Sequence, residues 1–257
     1  MTTLTFSNFF SDQVGQTDST RQVVCVQGLG FVGAAMALTI ASARRPDGDP
    51  QFNVIGIDLP TEQGKHAIGS LNAGIFPAPT TDAALVAAAE QAHKADNLAA
   101  TSDAGAIALA SVILVNVHLD ITDTETGPGV RFENFTAAIE AIGDHMQAGA
   151  LIIVETTIPP GTCEKVVAPI LSDRLKARGL GEDDFLLAHS MERVMPGDQY
   201  LDSIINFWRV YAGHTPAAGD ACGEFLSRII NVKDFPLTRL ASTTASEITK
   251  IMENSYR

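Results

Sequence analysis

Near the end of the chain, "SEITKIMENSYR" places Lys250 and Asn254 four residues apart, a spacing that puts two side chains on one face of a helix. An ammonium beside an amide donor can stabilise negative charge developing on an oxygen in a dry pocket; on a solvated face the same pair does no chemistry. A second constellation lies near the start. "VVCVQGLGFVG" gives Gly28-x-Gly30-x-x-Gly33 between a β-branched apolar run and an Ala-rich one, and "FNVIGID" ends the next apolar run on Asp58. Strand, glycine turn, helix, strand and acid in that order suit a bound dinucleotide. Gly28 permits the tight turn, Gly30 lets the backbone approach a pyrophosphate, and Gly33 lets helix and strand pack closely. The amides of Phe31 and Val32 then open a helix and face negative charge. A carboxylate at Asp58 accepts from both ribose hydroxyls and repels a 2′-phosphate, so NAD is expected over NADP. Asp58 falls later than the usual ~20 residues, and the inserted loop "RRPDGDPQF" explains the delay. Lys65 either reaches the adenosine ribose or phosphate or is a solvated surface lysine.

These residues need elements to hold them. Strand-like runs "QVVCVQ", "FNVIGID", "SVILVNV", "ALIIVET", "DFLLAHS" and "FWRVYAG", with a short one at "VKDFPL", are separated by helical segments along the whole chain. Continuous apolar strands between helices imply a parallel sheet covered on both faces. The fold class expected is therefore α/β: a doubly wound, mostly parallel, Rossmann-like sheet, followed by the start of a long helix with Ile248, Ile251 and Met252 on its apolar face. In residue ranges this gives a polar leader or edge element over 1–20, a dinucleotide-binding domain over 21–238, and the helix over 239–257. "DITDTETGPGV" reads as a mobile, acidic loop. Thr156 and Thr157 in "VETTIPPGT", and Glu192 and Arg193 in "HSMERVMPG", fall at carboxyl ends of strands, where open α/β sheets bind ligands.

Composition narrows the partners. Across 257 residues, 46% hydrophobic and 18% charged, the chain supports a sizeable core, and its net charge of −13 disfavours nucleic acid and anionic membranes. No apolar run approaches the ~20 residues of a membrane span, and the N-terminus has neither the basic nor the apolar region of a signal peptide. Three cysteines at no metal-like spacing point to a reduced, cytoplasmic protein with no metal site.

Seven stretches occur in order from Val23 to Arg257: "VQGLGFVG", "VIGID", "SLNAGIFPAP", "NLAATSD", "VETTIPPGT", "HSMERVMPGD" and "TASEITKIMENSYR". Together they resemble the nucleotide-sugar dehydrogenases, which oxidise UDP-glucose, UDP-N-acetylhexosamines or GDP-mannose to uronic acids with two NAD⁺. "SMERVMPG" is more similar to the UDP-N-acetylhexosamine branch. The resemblance implies a nucleotide-sugar substrate and a cytoplasmic enzyme of polysaccharide biosynthesis. It assigns Lys250 and Asn254 to the alkoxide or oxyanion and a water, Thr157 to the nicotinamide or a water, and Glu192 to organising the site. It also implies a homodimer built on the central helix.

The match is incomplete. The usual Pro-Thr-Pro reads "VNVHLDIT" here. Backbone contacts to NAD around Val117 survive that change, whereas the threonine contact does not; His118 either replaces it or is a plain loop histidine. The proline usual before the glutamate is Met191, and the threonine usual after "PPGT" is Cys163, which opens a helix where a thiol's pKa can fall. The family's nucleophilic cysteine lies in a "GGxC" motif of a second domain, and neither is in this sequence. The chain thus reads as the NAD-binding half, expected to bind NAD without completing the oxidation. Two other readings stand beside it: an NAD-binding or interaction module without turnover, and a Rossmann oxidoreductase with an all-helical second domain. Enzymes of the latter kind lack "TTIPPGT" followed by "MERVMPG".

Overall fold

The computed structural model describes residues 5–15, 18–124, 127–192 and 198–256; Arg193 and the Pro-Gly turn after it lie outside them. In chain order the elements are α1 (Phe6–Phe9), β1 (Gln22–Gln27), α2 (Phe31–Ser42), β2 (Phe52–Ile57), α3 (Glu62–Asn72), α4 (Ala83–Lys94), β3 (Leu98–Thr101) and β4 (Val112–Val115). A hairpin of β5 (Asp120–Thr124) and β6 (Gly127–Arg131) follows, then α5 (Glu133–His145), β7 (Leu151–Val154), α6 (Ala168–Ala177) and β8 (Leu186–Ser190). The chain continues through α7 (Tyr200–Ile205), β9 (Val210–Gly213), α8 (Pro216–Ser227), β10 (Thr238–Arg239) and α9 (Thr243–Ser255).

Eight strands form one sheet in the order β10-β9-β8-β7-β4-β1-β2-β3. Neighbours are parallel except β8 and β9, so β9 and β10 run against the other six. Each central strand feeds two cores, because successive side chains leave a strand on opposite faces. Val24, Val26 and Val54 enter the layer of α2, α4, α7 and α8, whereas Cys25, Ile55 and Ile113 enter the layer of α1, α5 and α6. Burial of each such Val, Leu or Ile stabilises by about 1.5–3 kcal/mol. The N-terminal segment joins the second core through Phe6, Phe10 and Val14. Strand order reverses between β1 and β4, which opens a crevice at the carboxyl ends of the strands.

The sheet is doubly wound and mostly parallel, as the alternating pattern implies. Two local expectations fail. "DITDTETGPGV" is not an open loop: Asp120–Thr124 and Gly127–Arg131 pair as an antiparallel hairpin, with Ile121 opposite Val130. Its glycines, proline and acids mask the backbone pairing. The short strand expected at "VKDFPL" forms later, at Thr238–Arg239, because Pro236 has no N–H to give to a ladder.

Candidate active site

The first wall of the crevice is the glycine turn. Gly28 takes φ +90°, a left-handed conformation that side chains disfavour, and its amide donates to the Ile57 carbonyl at 2.8 Å. A Cβ on Gly33 would lie 1.8 Å from the Gly28 carbonyl oxygen, so only glycine lets α2 pack this closely. At Gly30 an added Cβ would meet no protein atom within 4 Å; it would project into open space at the mouth of α2. No side chain caps α2, leaving the Phe31 and Val32 amides as donors at a helix N-terminus. Half-buried at the tip of β2, Asp58 accepts from the Leu29 amide at 2.8 Å and the Leu59 amide at 2.7 Å. That leaves lone pairs of the carboxylate for a ribose diol. The open space at Gly30, the uncapped helix and the anchored Asp58 together fit a dinucleotide. Lys65 stands exposed and pairs with Glu62 at 3.3 Å on the same helix, which is the solvated-surface alternative.

The second wall is made by the ends of β4, β7 and β8 and by α9. Between the walls is a cleft of about 760 Å³, lined by Gly30–Gly33, Asn116, His118, the 155–160 segment, Glu192, Lys250 and others. Lys250 is 1% exposed, not solvated, and its Nζ donates to Glu192 Oε1 at 2.5 Å. One turn on, Asn254 Nδ2 donates to Thr157 Oγ1 at 3.1 Å. Val117 is half-buried, and its carbonyl accepts from Thr156 Oγ1 at 2.8 Å, which locks the ends of β4 and β7 together. His118 is exposed on the cleft rim.

Beneath this floor lies a charge pair. Glu155 and Arg209 are both fully buried, with Arg209 Nη1 3.0 Å from Glu155 Oε1, while Asn116 Nδ2 donates to Oε2 at 3.1 Å. Burial pushes the Glu155 carboxyl up, and Arg209 and then Asn116 act against that shift. The guanidinium keeps its charge, and its contact with Glu155 offsets part of the cost of burying the carboxyl. Beside it His189 Nδ1 bonds Ser246 Oγ at 2.8 Å. Burial, then the Lys250 charge, lowers the His189 pKa to about 3.

The cysteine at 163 departs from expectation. It is buried, and its thiol is pushed well above the ordinary range by burial and then by the Glu247 carboxylate. Desolvation and a neighbouring anion outweigh the helix N-terminus. Cys25 and Cys222 are also buried and free, their thiols raised chiefly by burial, that of Cys222 to about 12.

The structure thus gathers Gly30, Phe31, Val32, Gly33, Thr157, Glu192 and Lys250 around one cleft, with Asn254 bonded to Thr157 at its edge. Asp58 sits beside the glycine turn, and Lys65 pairs with Glu62 on its own helix. Sequence reading passed over Asn116, Glu155, Arg209, His189 and Glu247. Glu155 and Glu247 stand inside the quoted motifs, but a lone acid carries no signal of burial. Arg209, inside an apolar strand run, was the available hint, since a charge there must be paired.

Comparison with known proteins bears on this arrangement. Residues 22–229 match the family model described as "UDP-glucose/GDP-mannose dehydrogenase family, NAD binding domain". The UDP-N-acetyl-D-mannosamine dehydrogenase of Pyrococcus horikoshii is 28% identical over 237 residues, covering 91% of this chain and 50% of its own. The UDP-N-acetyl-D-glucosamine 6-dehydrogenase of Pseudomonas aeruginosa is 28% identical over 91% of this chain and 49% of its own. Among solved structures, the NDP-N-acetyl-D-galactosaminuronic acid dehydrogenase of Methanosarcina mazei superposes with TM-score 0.79 at 28% identity, over 92% of this chain and 47% of that one. The chain spans about half the length of the curated relatives it matches.

Proposed function

We propose a function from one fixed premise: the chain belongs to the UDP-glucose/GDP-mannose dehydrogenase family and carries that family's NAD-binding domain. The reaction is NAD-dependent oxidation of the C6 alcohol of a nucleotide sugar to the uronic acid. Its substrate is a UDP-N-acetylhexosamine or UDP-hexose, a choice supported by relatives that act on UDP-N-acetylated sugars. The observation that carries the reading is the convergence of Lys250, Glu192 and Thr157 on the cleft opened by the glycine turn.

Bound NAD would supply the hydride acceptor for the sugar carbon. Gly30 and the free amides of Phe31 and Val32 would hold its pyrophosphate, Asp58 would accept from its ribose hydroxyls, and the backbone at Val117 would add a further contact. Lys250, kept in place by Glu192, stabilises the C6 oxygen as it loses its proton and again when an oxyanion forms. The Asn254 amide and the Thr157 hydroxyl, already bonded to each other, orient that oxygen or an attacking water. Thiolate capture of the aldehyde, which the family's chemistry includes, falls to none of this chain's three buried cysteines. That last observation favours a second reading, an NAD-binding module that does not turn over by itself.

The reaction is placed in the cytoplasm, in keeping with three free thiols; no helix among the described residues is long and apolar enough to cross a membrane. A homodimer through α9 is part of the proposal, supported by its outward apolar face. The test is NADH formation by the complete gene product with UDP-N-acetylhexosamines, UDP-glucose and GDP-mannose. Lys250→Ala should lower kcat by at least about 100-fold, the scale of a lost oxyanion donor, while NAD⁺ affinity holds. An unchanged kcat in that variant contradicts the assignment.

A further inference from the structure

Glu247 has no part in the chemistry above, yet it is fully buried on α9, one turn before Lys250. Its two carboxylate oxygens serve different amides of a single turn: Oε1 accepts from the Cys163 N–H at 2.8 Å, and Oε2 accepts from the Gly161 N–H. Among the described residues no cation pairs with it; Lys250 turns to Glu192 instead. A buried charge without a counter-ion persists only where hydrogen bonds replace water. Here the donors are the Cys163 amide, which opens the helical turn Cys163–Val167, and the Gly161 amide just before it; that turn leads into α6 and favours an anion at its start. The same loop brings Thr157, Pro159 and Pro160 into the cleft. One carboxylate therefore joins the helix carrying Lys250 and Asn254 to the loop carrying Thr157.

Apolar packing does little to fix α9. Its buried residues are Thr243, Ser246, Glu247 and Lys250, whereas Ile248 and Met252 face outward at 41% and 64% exposure. A polar face is held by directed bonds, and Glu247 makes two of them to backbone that cannot swing away. We propose that Glu247 is the positioning residue that sets the register of α9 on the 159–163 turn, and so places Lys250 against Glu192 and Asn254 against Thr157. The inference rests on the reading of Lys250 and Asn254 as site residues.

Acetylation of lysines by acetic anhydride, followed by mass spectrometry and normalised to exposed Lys65, reports whether α9 stays docked. Glu247→Gln keeps the shape but turns an N–H₂ toward an amide donor. It should raise Lys250 labelling at least about fivefold through local release of α9. Glu247→Asp, with the charge kept and the reach shortened, should fall between. NAD⁺ affinity by calorimetry should stay within about twofold, since the glycine turn is a separate site; a global loss of structure would move both readouts. Wild-type labelling of Lys250 in Glu247→Gln overturns the proposal. Should that variant not fold, hydrogen exchange of the unmodified chain decides: the Gly161 and Cys163 amides exchange in step with α9, and exchange at the rate of an open loop overturns it. Failure of the unmodified chain to bind NAD⁺ counts against the proposed function and leaves the labelling result to judge Glu247.

Discussion

His189 illustrates how burial rewrites a residue's chemistry. Its pKa of about 3 lies below the ~6.5 of an unfolded histidine, so the unfolded chain takes up the proton first. The resulting stability is complete above pH 6.5 and is lost as pH falls from 6.5 toward 3. Between pH 6.5 and 5, above most carboxylate titration, the loss should be about 2 kcal/mol, at ~1.4 kcal/mol per unit for a group this buried. Urea unfolding across that window measures it, and His189→Asn should flatten the slope; an equally steep slope in the variant would assign the effect elsewhere. The cysteines give a second check. With all three buried and their thiols raised, native protein at pH 8 should react with no thiol reagent until it unfolds. Rapid modification of Cys163 would mean that α9 does not cover it. At this scale the sequence revealed residues whose spacing has a rule, such as the three glycines and Asp58. It hid Glu155, Arg209 and Glu247, whose meaning depends on burial that only the assembled fold creates.

Among the elements, α9 departs furthest from its sequence pattern. Periodicity marks Ile248, Ile251 and Met252 as an apolar face, and in a globular helix that face ordinarily packs inward. Here the polar face is buried, Ile251 is half-covered, and Ile248, Met252 and Tyr256 are exposed. Tertiary hydrogen bonds from Ser246, Glu247 and Lys250 outcompete the apolar stripe. In the monomeric chain, Met252→Lys should therefore change stability by no more than about 0.5 kcal/mol. Lys250→Met, which removes the buried ammonium and its contact with Glu192, should cost several-fold more, up to about 3–5 kcal/mol. Denaturant midpoints for both variants check this, and the reverse ranking would mean that α9 docks by its apolar face. Elsewhere the elements were legible: β1, α2 and β2 follow their patterns closely, because β-branched runs and alanine-rich helices have few other places to go in a parallel sheet. The hairpin β5–β6 was not, since its turn-forming composition outweighs any strand signal.

Across the whole molecule, a net charge of −13 opposes any anionic ligand, so binding must come from local groups at the switch point. Those groups are the uncapped start of α2 and the glycine backbone for phosphate, with Asp58 anchored by two amides for the ribose. The same carboxylate that accepts from a free 2′-hydroxyl repels a 2′-phosphate. Calorimetric titration of this chain with NAD⁺ and NADP⁺ tests that arrangement most directly. The account predicts that NAD⁺ binds, that NADP⁺ binds at least about tenfold more weakly, and that Asp58→Ala removes most of the difference, as expected for hydrogen bonds to a charged group of about 1.5–3 kcal/mol. No heat from NAD⁺ at millimolar concentration, or equal affinity for the two nucleotides, would contradict it.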